Sequence, residues 1–430
     1  MDHWENSIEM PKKKKKKLGF APGFFSGFLA GILVLGVGIG IGIRAYTKTT
    51  NDYIIFGPNG TNKASGTGVL DSETVRKIEE LMAYVDIYYN DAYDADAIRD
   101  ALYKGTLEGL GDPYSIYYTE EEYTTLKMKT SGQYYGIGTV LTQDAKSMEV
   151  TVQKVYENTP AEEAGICDGD QILKVDSYKA DSMELSELVK KIRGEEGTMV
   201  HLSIYRMRTD QTLELDVERR NVDLPSVDFE MLDGGIGYIQ ITEFQDNTKE
   251  QFQQALEELQ EQNMEGLIID LRDNPGGLVS SVVDVLDIIL PEGTVVYTED
   301  KYGTRNTYSS DSSCLEYPLV VLVNENSASA SEIFAGAIKD YDYGTLIGET
   351  TYGKGIVQTL FPLKEGDAIR ITTAKYYTPK GNYIHEVGIE PDITLEYDYM
   401  GPEDEAYDMQ YDNQLQKAIE VIGRKQGEQD

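Results

Sequence analysis

The sequence contains very few histidines, and this scarcity limits the kinds of catalytic site that it can build. Only His3, His201 and His385 occur among its 430 residues. His3 lies in the N-terminal tail, and His201 alternates with apolar neighbours in a predicted strand, so its side chain is expected to face solvent. A serine hydrolase that uses histidine as its base would therefore depend on His385, which lies in a turn rich in Gly and Asn.

Cysteine is equally scarce. The chain has only Cys167 and Cys314, and they show neither a CxxC spacing nor that of metal ligands. Because the two residues fall in different predicted domains, we expect no disulfide between them. We predict no metal site and no cofactor.

The chain also lacks the positive charge that nucleic-acid binding requires. Its formal net charge is −36, and residues 51–430 hold 31 Lys and Arg against 72 Asp and Glu. Such an acidic body repels nucleic acids and anionic membrane surfaces. We therefore exclude nucleic acid as a partner.

Basic residues concentrate at the N-terminus, directly before a long apolar run. Six consecutive lysines occupy residues 12–17, and no charged residue follows in residues 18–43. The apolar run exceeds the ~20 residues that cross a bilayer as a helix, and no A-x-A-like cleavage site follows it. We predict a cytoplasmic basic tail (1–17), a single-pass transmembrane anchor (18–43) and an extracytoplasmic body at the cell membrane. A cleaved signal peptide is the alternative.

Local patterns divide the body into five segments. A linker rich in Gly, Thr and Asn (44–70) leads into an N-terminal helical segment (71–118), whose apolar spacing predicts two helices. Short alternating strands and one helix predict a β-rich module (119–218). The next segment (219–398) alternates apolar strands with helices, which predicts a mainly parallel α/β layer. A helical segment (399–430) follows.

A serine-rich junction, where a predicted strand (Leu319–Val323) meets the start of a helix, is the most informative feature of the chain. Ser327, Ser329 and Ser331 lie at this junction. The N-terminus of a helix supplies backbone N–H groups suited to stabilising an oxyanion. The alternative is structural, because Ser329 and Glu332 fit the S-x-x-E capping box.

A second motif offers a base for such a serine. Lys354 lies between two glycines in a segment with little charge, and Gln358 follows four residues later. Burial lowers the pKa of a lysine and allows it to act as a base near neutral pH, although a glycine-flanked lysine is often only a turn residue. Upstream, Gly276 and Gly277 follow a buried strand and allow close approach of the backbone to a ligand, unless they form an ordinary turn.

The β-rich module contains a candidate peptide-binding site of its own. N–H groups in a small-residue loop can hold a carboxylate, and this loop consists of Tyr135, Gly136, Ile137 and Gly138. A groove for an extended peptide would be bordered by a helix with apolar residues at Leu185, Leu188, Val189 and Ile192. A Gly-x-Gly sequence alone is usually only a turn.

Taken in order along the chain, these motifs resemble those of the C-terminal processing peptidases, or tail-specific proteases, which are PDZ-containing serine proteases. The resemblance covers residues 74–422 and includes GDPYSIYY, YYGIG, IGYIQITEF, LIIDLRDNPGGL, VNENSASASEI, YGKGIVQ and GIEPDI. It implies an α/β fold in which a β-rich PDZ domain is inserted into a Clp-protease/crotonase-like catalytic domain. This body would follow the N-terminal transmembrane helix.

The resemblance also implies roles for individual residues. Ser329 corresponds to the nucleophile, Lys354 to its base and Gln358 to the residue that supports the base. The implied oxyanion donors are the backbone N–H groups of Ala330 and of either Gly276 or Gly277. The loop 135–138 would bind the C-terminal carboxylate of the substrate.

We therefore predict a membrane-anchored serine endopeptidase that cuts exported proteins near their C-termini by a Ser-Lys mechanism. Its partners would be proteins or peptides with free apolar C-termini, recognised by the PDZ domain. The terminal helices would either form a homodimer or pack on their own chain. Two alternatives stay open, a non-catalytic PDZ adaptor and a serine hydrolase that uses His385.

Overall fold

The computed structural model describes residues 69–402 and 407–427, which fall into two compact units divided between Asp94 and Ala95. The predicted tail (1–17), the predicted anchor (18–43) and residues 44–68 of the linker lie outside the described residues. Within the described ranges, no helix combines the length and the apolar character needed to cross a membrane.

The first unit contains one described helix, α1 (Ser72–Tyr88), which confirms the first of the two predicted helices. Asp71 caps its N-terminus, where the carboxylate accepts the N–H groups of Glu73 at 3.1 Å and Thr74 at 2.8 Å. No residue of α1 is buried. The apolar face predicted for this helix is therefore only partly covered.

The second unit begins with α2 (Ala95–Glu108), β1 (Ile116–Tyr118) and α3 (Glu120–Ser131). Thr119 and Glu122 form a capping box at the start of α3, and Gly132 ends the helix in the left-handed region at φ 67°. The chain then enters the β-rich module.

The β-rich module is built around a six-stranded antiparallel sheet in the order β3-β4-β5-β7-β8, with β6 paired to β5. Its elements are β2 (Gln133–Gly136), β3 (Thr139–Gln143), β4 (Val150–Val155), α4 (Pro160–Glu163), β5 (Gln171–Val175), β6 (Tyr178–Lys179), α5 (Leu185–Ile192), β7 (Met199–Arg206), β8 (Gln211–Glu218) and β9 (Arg220–Asp223). β2 and β9 pair with each other as a separate ribbon where the chain enters and leaves the module. Alternate strand residues and one face of α5 form the module's core.

A second, mainly parallel sheet follows in the order β10-β11-β12-β15-β16-β19, in which only β10 runs antiparallel to its neighbour. The elements of this layer are β10 (Val227–Leu232), β11 (Ile236–Ile241), α6 (Thr248–Glu261), β12 (Gly266–Asp270), α7 (Val279–Ile289), β15 (Leu319–Val323), α8 (Ala330–Tyr341), β16 (Thr345–Gly348) and β19 (Ile393–Thr394). Every residue of β12 and β15 is buried, as expected for strands covered on both faces. The predicted parallel layer is confirmed.

The C-terminal helix α9 (Asn413–Gly427) covers one face of the parallel sheet. Leu415, Ala418 and Ile422 are fully buried against residues such as Ile268 and Val320, while α6, α7 and α8 contribute to the core on the opposite face. Burying each leucine or isoleucine contributes about 2 kcal/mol. Of the two arrangements considered for this helix, the structure shows packing on its own chain.

A third sheet is antiparallel and combines segments that are distant in sequence. Its strands are β1, β13 (Gly293–Asp300), β14 (Arg305–Ser310), β17 (Ile356–Pro362) and β18 (Ala368–Tyr377), in the order β1-β18-β13-β14 with β17 also paired to β18. β1 lies within the segment predicted as N-terminal and helical (71–118), yet it pairs with β18. Residues on both sides of the β-rich module therefore build the same α/β half of the protein.

Candidate active site

The three serines of the predicted junction have different surroundings. Ser327 and Ser331 are fully buried, and their hydroxyls donate to the carbonyl oxygens of Leu271 at 2.8 Å and Asn274 at 3.0 Å. Ser329 lies between them, is only half-buried and occupies the N-cap of α8. Since a nucleophile must reach a substrate, Ser329 is the serine of this junction that can attack one.

The backbone of Ser329 is strained. Its φ of 55° and ψ of −110° lie outside the regions that L-residues ordinarily adopt, which costs about 1–3 kcal/mol. Two buried side chains hold this conformation. The carboxylate of Glu332 accepts the Ser329 N–H at 2.9 Å, and the hydroxyl of Tyr376 donates to the Ser329 carbonyl at 3.1 Å. These contacts fix the position from which the Ser329 side chain projects.

The predicted glycine loop lies directly against Ser329. Gly276 has a φ of 105°, and a Cβ at this position would lie 2.8 Å from Ser329 Cβ and 2.9 Å from the backbone nitrogen of Ala330. No side chain fits in that space. Glycine is therefore required here because the loop approaches the start of α8 closely.

Two backbone N–H groups beside this junction have no acceptor in the described part of the protein, those of Ala330 and Gly277. The N–H of Gly276, by contrast, donates to Asn274 Oδ1 at 2.8 Å. The residues on either side of Gly277 pair with the backbone of Phe244, which turns the Gly277 N–H away from Phe244. Of the two glycines left open by the sequence, Gly277 is the one with an available donor.

Glu332 connects Ser329 to the lysine segment. Its fully buried carboxylate accepts hydrogen bonds from Thr351 Oγ1 at 2.6 Å and from the N–H groups of Ser329 at 2.9 Å, Gly353 at 2.7 Å and Lys354 at 2.8 Å. Burial raises the pKa of the Glu332 carboxyl, while these hydrogen bonds act in the opposite direction. The sequence indicated only a capping role for Glu332, and the capping pattern was the signal from which its wider role could have been suspected.

Lys354 is half-buried, and its Nζ lies 4.6 Å from the centroid of the Tyr114 ring. Burial lowers the pKa of the Lys354 amine and the neighbouring Arg370 lowers it further, whereas Glu332 and Asp112 favour the charged form. The direction of the pKa shift is the one expected for a lysine base.

The predicted contacts among the side chains of Ser329, Lys354 and Gln358 are not formed in this arrangement. In the ranges that the structure describes, no hydrogen bond joins Lys354 Nζ to Ser329 Oγ. Gln358 Nε2 donates to Thr372 Oγ1 at 3.2 Å rather than to the amine. The structure thus brings the lysine and serine segments together through Glu332, while the lysine head group lies over an aromatic ring.

The two described histidines make contacts elsewhere. His385 Nδ1 accepts the N–H of Gly355 at 3.4 Å, and its ring packs 6.0 Å from that of Tyr383. His201 is exposed, as predicted, and lies between Glu214 and Asp216. Neither imidazole contacts Ser329 in the described part of the chain.

The loop of the β-rich module differs from the serine junction. The Gly138 N–H donates to the Tyr134 hydroxyl at 3.1 Å, and a Cβ on Gly138 would lie 2.3 Å from Thr159 Cβ. Arg193, at the end of α5, lies with its guanidinium 5.1 Å from the centroid of the Tyr134 ring. The Nε of Arg193 is buried and has no hydrogen-bond partner among the described residues. The Gly138 donor is therefore occupied, and a cationic side chain whose Nε–H has no partner among the described residues lies nearby.

The other predicted peptide-binding residues are divided between the surface and the core. Tyr135 is exposed on β2, whereas Ile137 is buried. On α5, Leu188 and Ile192 are buried in the module core, so they cannot border a groove. Sequence reasoning missed Arg193, although a basic residue directly after an amphipathic helix was visible.

Comparison with known proteins finds a peptidase family and a PDZ domain in this chain. A sequence model described as "Peptidase family S41" matches residues 235–395, and one described as "PDZ domain" matches residues 124–205. A carboxyl-terminal-processing protease of Synechocystis sp. is 37% identical over 295 residues, which cover 67% of this chain and 69% of that protein. A probable CtpA-like serine protease of Staphylococcus aureus is 35% identical over 338 residues, covering 78% of this chain and 67% of that protein. A solved photosystem II D1 C-terminal processing protease is 31% identical, covers 80% of this chain and 90% of its own, and has a TM-score of 0.44.

Proposed function

The chain belongs to peptidase family S41 and is a serine-type peptidase, and we propose that it is an endopeptidase that cuts exported proteins near their C-termini. The observation that carries this proposal is the arrangement around Ser329. A half-buried serine on a strained N-cap has beside it the N–H groups of Ala330 and Gly277, which have no acceptor among the described residues. Such donors stabilise the oxyanion that forms when a serine attacks a peptide carbonyl.

We assign the chemistry to a Ser-Lys pair. Neutral Lys354 accepts the proton of Ser329 as Oγ attacks the carbonyl carbon, and the N–H groups of Ala330 and Gly277 hold the oxyanion. The tetrahedral intermediate then expels the amine, which takes the proton from Lys354, and water hydrolyses the acyl-enzyme. The lowered pKa of Lys354 supports this role. The lysine head group must move from Tyr114 toward Ser329 for the first step, and Gln358 would support it there.

The PDZ domain would capture the free C-terminal tail of the substrate. Arg193 lies over Tyr134, whose hydroxyl bonds Gly138 of the loop 135–138, and its Nε–H, which has no partner among the described residues, suits a carboxylate. An incoming carboxylate would displace the Tyr134 hydroxyl from the Gly138 N–H. Tails with apolar side chains would contact the part of α5 that stays accessible, which includes Leu185 and Val189.

We further propose that the peptidase is anchored in the cell membrane with its body outside the cytoplasm. The run of lysines followed by the uncharged residues 18–43 supports this location. The domain limits at 119–218 for the PDZ domain and 219–398 for a Clp-protease/crotonase-like catalytic domain stay predictions. So does a homodimer, for which the solvent-exposed α1 is the available terminal helix, because α9 is buried on its own chain.

The test uses the full-length protein in detergent with a loosely folded substrate that ends in an apolar tail. Intact-mass spectrometry follows the products of the wild type and of Ser329→Ala, with a C-terminally amidated substrate in parallel. We expect cleavage by the wild type only, and slower cleavage of the amidated substrate. Tail binding by both proteins without cleavage by either would instead favour a non-catalytic PDZ adaptor. Retained cleavage in Lys354→Ala together with loss in His385→Ala would favour a histidine-dependent hydrolase.

A further inference from the structure

We propose that Tyr114 is a positioning residue for the catalytic base Lys354. The Tyr114 ring holds the protonated Lys354 amine at rest. When the amine loses its proton, the ring releases it toward Ser329. This inference rests on the proposed Ser-Lys mechanism. It adds to the active site a residue from the segment that precedes the PDZ domain.

The contact between the two side chains has the geometry of a cation–π interaction. Lys354 Nζ lies 4.6 Å from the centroid of the Tyr114 ring, within the ~6 Å at which a ring face attracts a cation. This attraction acts on the ammonium form, since the ring quadrupole has no comparable interaction with a neutral amine. Loss of the proton therefore removes the main reason for the amine to stay over the ring.

The main chain of Lys354 is held in place, so the change of position is confined to the side chain. Its N–H and that of Gly353 both donate to the buried carboxylate of Glu332. The carbonyl of Gly355 accepts the N–H of Tyr376 at 3.1 Å. The four-carbon side chain of lysine supplies the rotations needed to move the amine between two sites.

The Tyr114 ring is also held in place. The carboxylate of Asp112 accepts the Tyr114 N–H at 3.0 Å and the Ser115 hydroxyl at 2.6 Å. Arg370 Nε donates to the Tyr114 carbonyl at 3.3 Å, which ties the segment to β18. A hydrogen bond with Tyr352 at the other end of the ring raises the pKa of the Tyr114 hydroxyl to about 12, so it stays neutral near pH 7.

The charged and titratable groups around Lys354 act from several elements. Arg370 on β18 disfavours the ammonium, whereas Glu332 on α8 and Asp112 before β1 favour it. The hydroxyl of Tyr114, which interacts with that of Tyr352, is neutral near pH 7. The Tyr114 ring adds a stabilisation of the ammonium that none of these groups supplies, so removing the ring face should lower the pKa of Lys354.

The experiment measures how fast a fluorophosphonate labels Ser329 in the full-length protein as a function of pH. Ser329 Oγ forms the new P–O bond, fluoride leaves, and the serine proton passes to Lys354. Labelling therefore needs neutral lysine, and its rate rises with pH through the lysine pKa. In Tyr114→Leu we expect this rise to move to lower pH by about half a unit to one and a half units, the equivalent of one cation–π contact. Tyr114→Phe keeps the ring face and should retain the wild-type profile.

A graded series separates the ring face from packing. Phenylalanine, trifluorophenylalanine and pentafluorophenylalanine, introduced at position 114 by nonsense suppression, have similar shapes but progressively weaker ring faces. The profile should move stepwise to lower pH along this series, even if Tyr114→Leu fails to fold. Tyr123→Leu is the matched control, because it removes a lysine–tyrosine contact of 4.5 Å on α3, away from Ser329.

If the labelling rate has the same pH profile across the fluorinated series while Lys354→Ala is inactive, the role of Tyr114 is overturned. The Ser-Lys mechanism would then stay intact. A shift in Tyr114→Phe as large as that in Tyr114→Leu would also overturn it, because the hydroxyl rather than the ring would then control the lysine. Wild-type labelling rates in Lys354→Ala would refute the proposed base itself.

Discussion

The serine junction and the PDZ loop are both glycine-bearing turns that we expected to present backbone N–H groups to an anion. In the structure they differ in whether those N–H groups already have an acceptor. At the serine junction, the N–H groups of Ala330 and Gly277 have no acceptor in the described residues. At the PDZ loop, the N–H of Gly138 is already bonded to the Tyr134 hydroxyl. Glycine spacing therefore predicts where the backbone can approach a ligand, whereas side chains from elsewhere decide whether the donor is free.

The two sites also differ in their charged groups. The catalytic half contains the fully buried Glu332 carboxylate, which is satisfied by four donors, beside the half-buried Lys354. The PDZ loop has Arg193, whose buried Nε has no partner among the described residues. The hydrogen bonds of Glu332 fix the positions of the serine and lysine segments before substrate binds. Arg193, in contrast, has a donor available for an incoming group.

The largest expected effect separates chemistry from tail binding. Ser329→Ala should reduce hydrolysis by about 10⁶-fold, the loss typical of removing a nucleophilic serine, and should leave tail binding unchanged. Ser327→Ala is the matched control, since its buried hydroxyl donates to Leu271 rather than facing a substrate. Its loss should lower the melting temperature but retain turnover. Rates from product mass spectrometry and binding by fluorescence anisotropy check both expectations.

A second substitution tests whether a preformed geometry distinguishes the catalytic half. In Glu332→Gln the amide NH₂ would face N–H donors of the serine and lysine segments, so the strained Ser329 backbone should lose its anchor. A displacement of about 1 Å at a reacting group costs on the order of 10²-fold in rate, and we expect a loss of kcat of that size with little change in tail affinity. An equal loss of tail binding would show that the two sites are not separable.

A third substitution would make the PDZ loop more like the serine junction. Tyr134→Phe removes the hydroxyl that occupies the Gly138 N–H, so a substrate carboxylate no longer competes with it. One neutral hydrogen bond is worth about 1 kcal/mol, which corresponds to roughly fivefold tighter binding of a free apolar tail. Anisotropy with free and amidated peptides measures this gain. The amidated peptide, which lacks the carboxylate, should show none of it.

The smallest expected effect concerns the stability cost of placing the Lys354 amine in a half-buried position. The pKa of Lys354 lies below its ordinary value of 10.5 in the folded protein, so the protonated amine destabilises the fold at neutral pH. This cost disappears as the pH rises from the pKa of Lys354 in the folded protein to its ordinary value of 10.5. Lys354→Met should therefore be inactive but melt a few degrees above the wild type at pH 7, with the difference shrinking toward pH 10.5. Calorimetry at several pH values checks it, and a constant difference would contradict the burial argument.

Local patterns were sufficient to predict the elements around the nucleophile. The strand predicted at Leu319–Val323 is β15, and all five of its residues are buried. Continuous apolar runs between helices predicted a mainly parallel sheet, because such strands need cover on both faces. The start of α8 followed from the capping pattern of Ser329 and Glu332.

Patterns within single segments did not predict the β13–β14 hairpin or the place of β1. The residues of β14 are exposed except for Ser310, so they carry little of the apolar periodicity that identifies strands. β1 has only three residues and takes its register from β18. Short strands of this kind are defined by their partners.

Local sequence patterns suffice to predict the order of segments, the parallel layer, the serine junction and the glycine-flanked Lys354, because helix caps, glycine turns and apolar periodicity are written in neighbouring residues. The choice of Ser329 within the junction rested on the family resemblance. The packing of distant segments establishes which serine is accessible, which glycine N–H has no acceptor among the described residues, and that Tyr114 lies beneath the lysine. Tyr114 and Arg370 are 256 residues apart and meet through one hydrogen bond. Burial and hydrogen-bond satisfaction depend on what the rest of the chain brings to a site, and no local spacing encodes them.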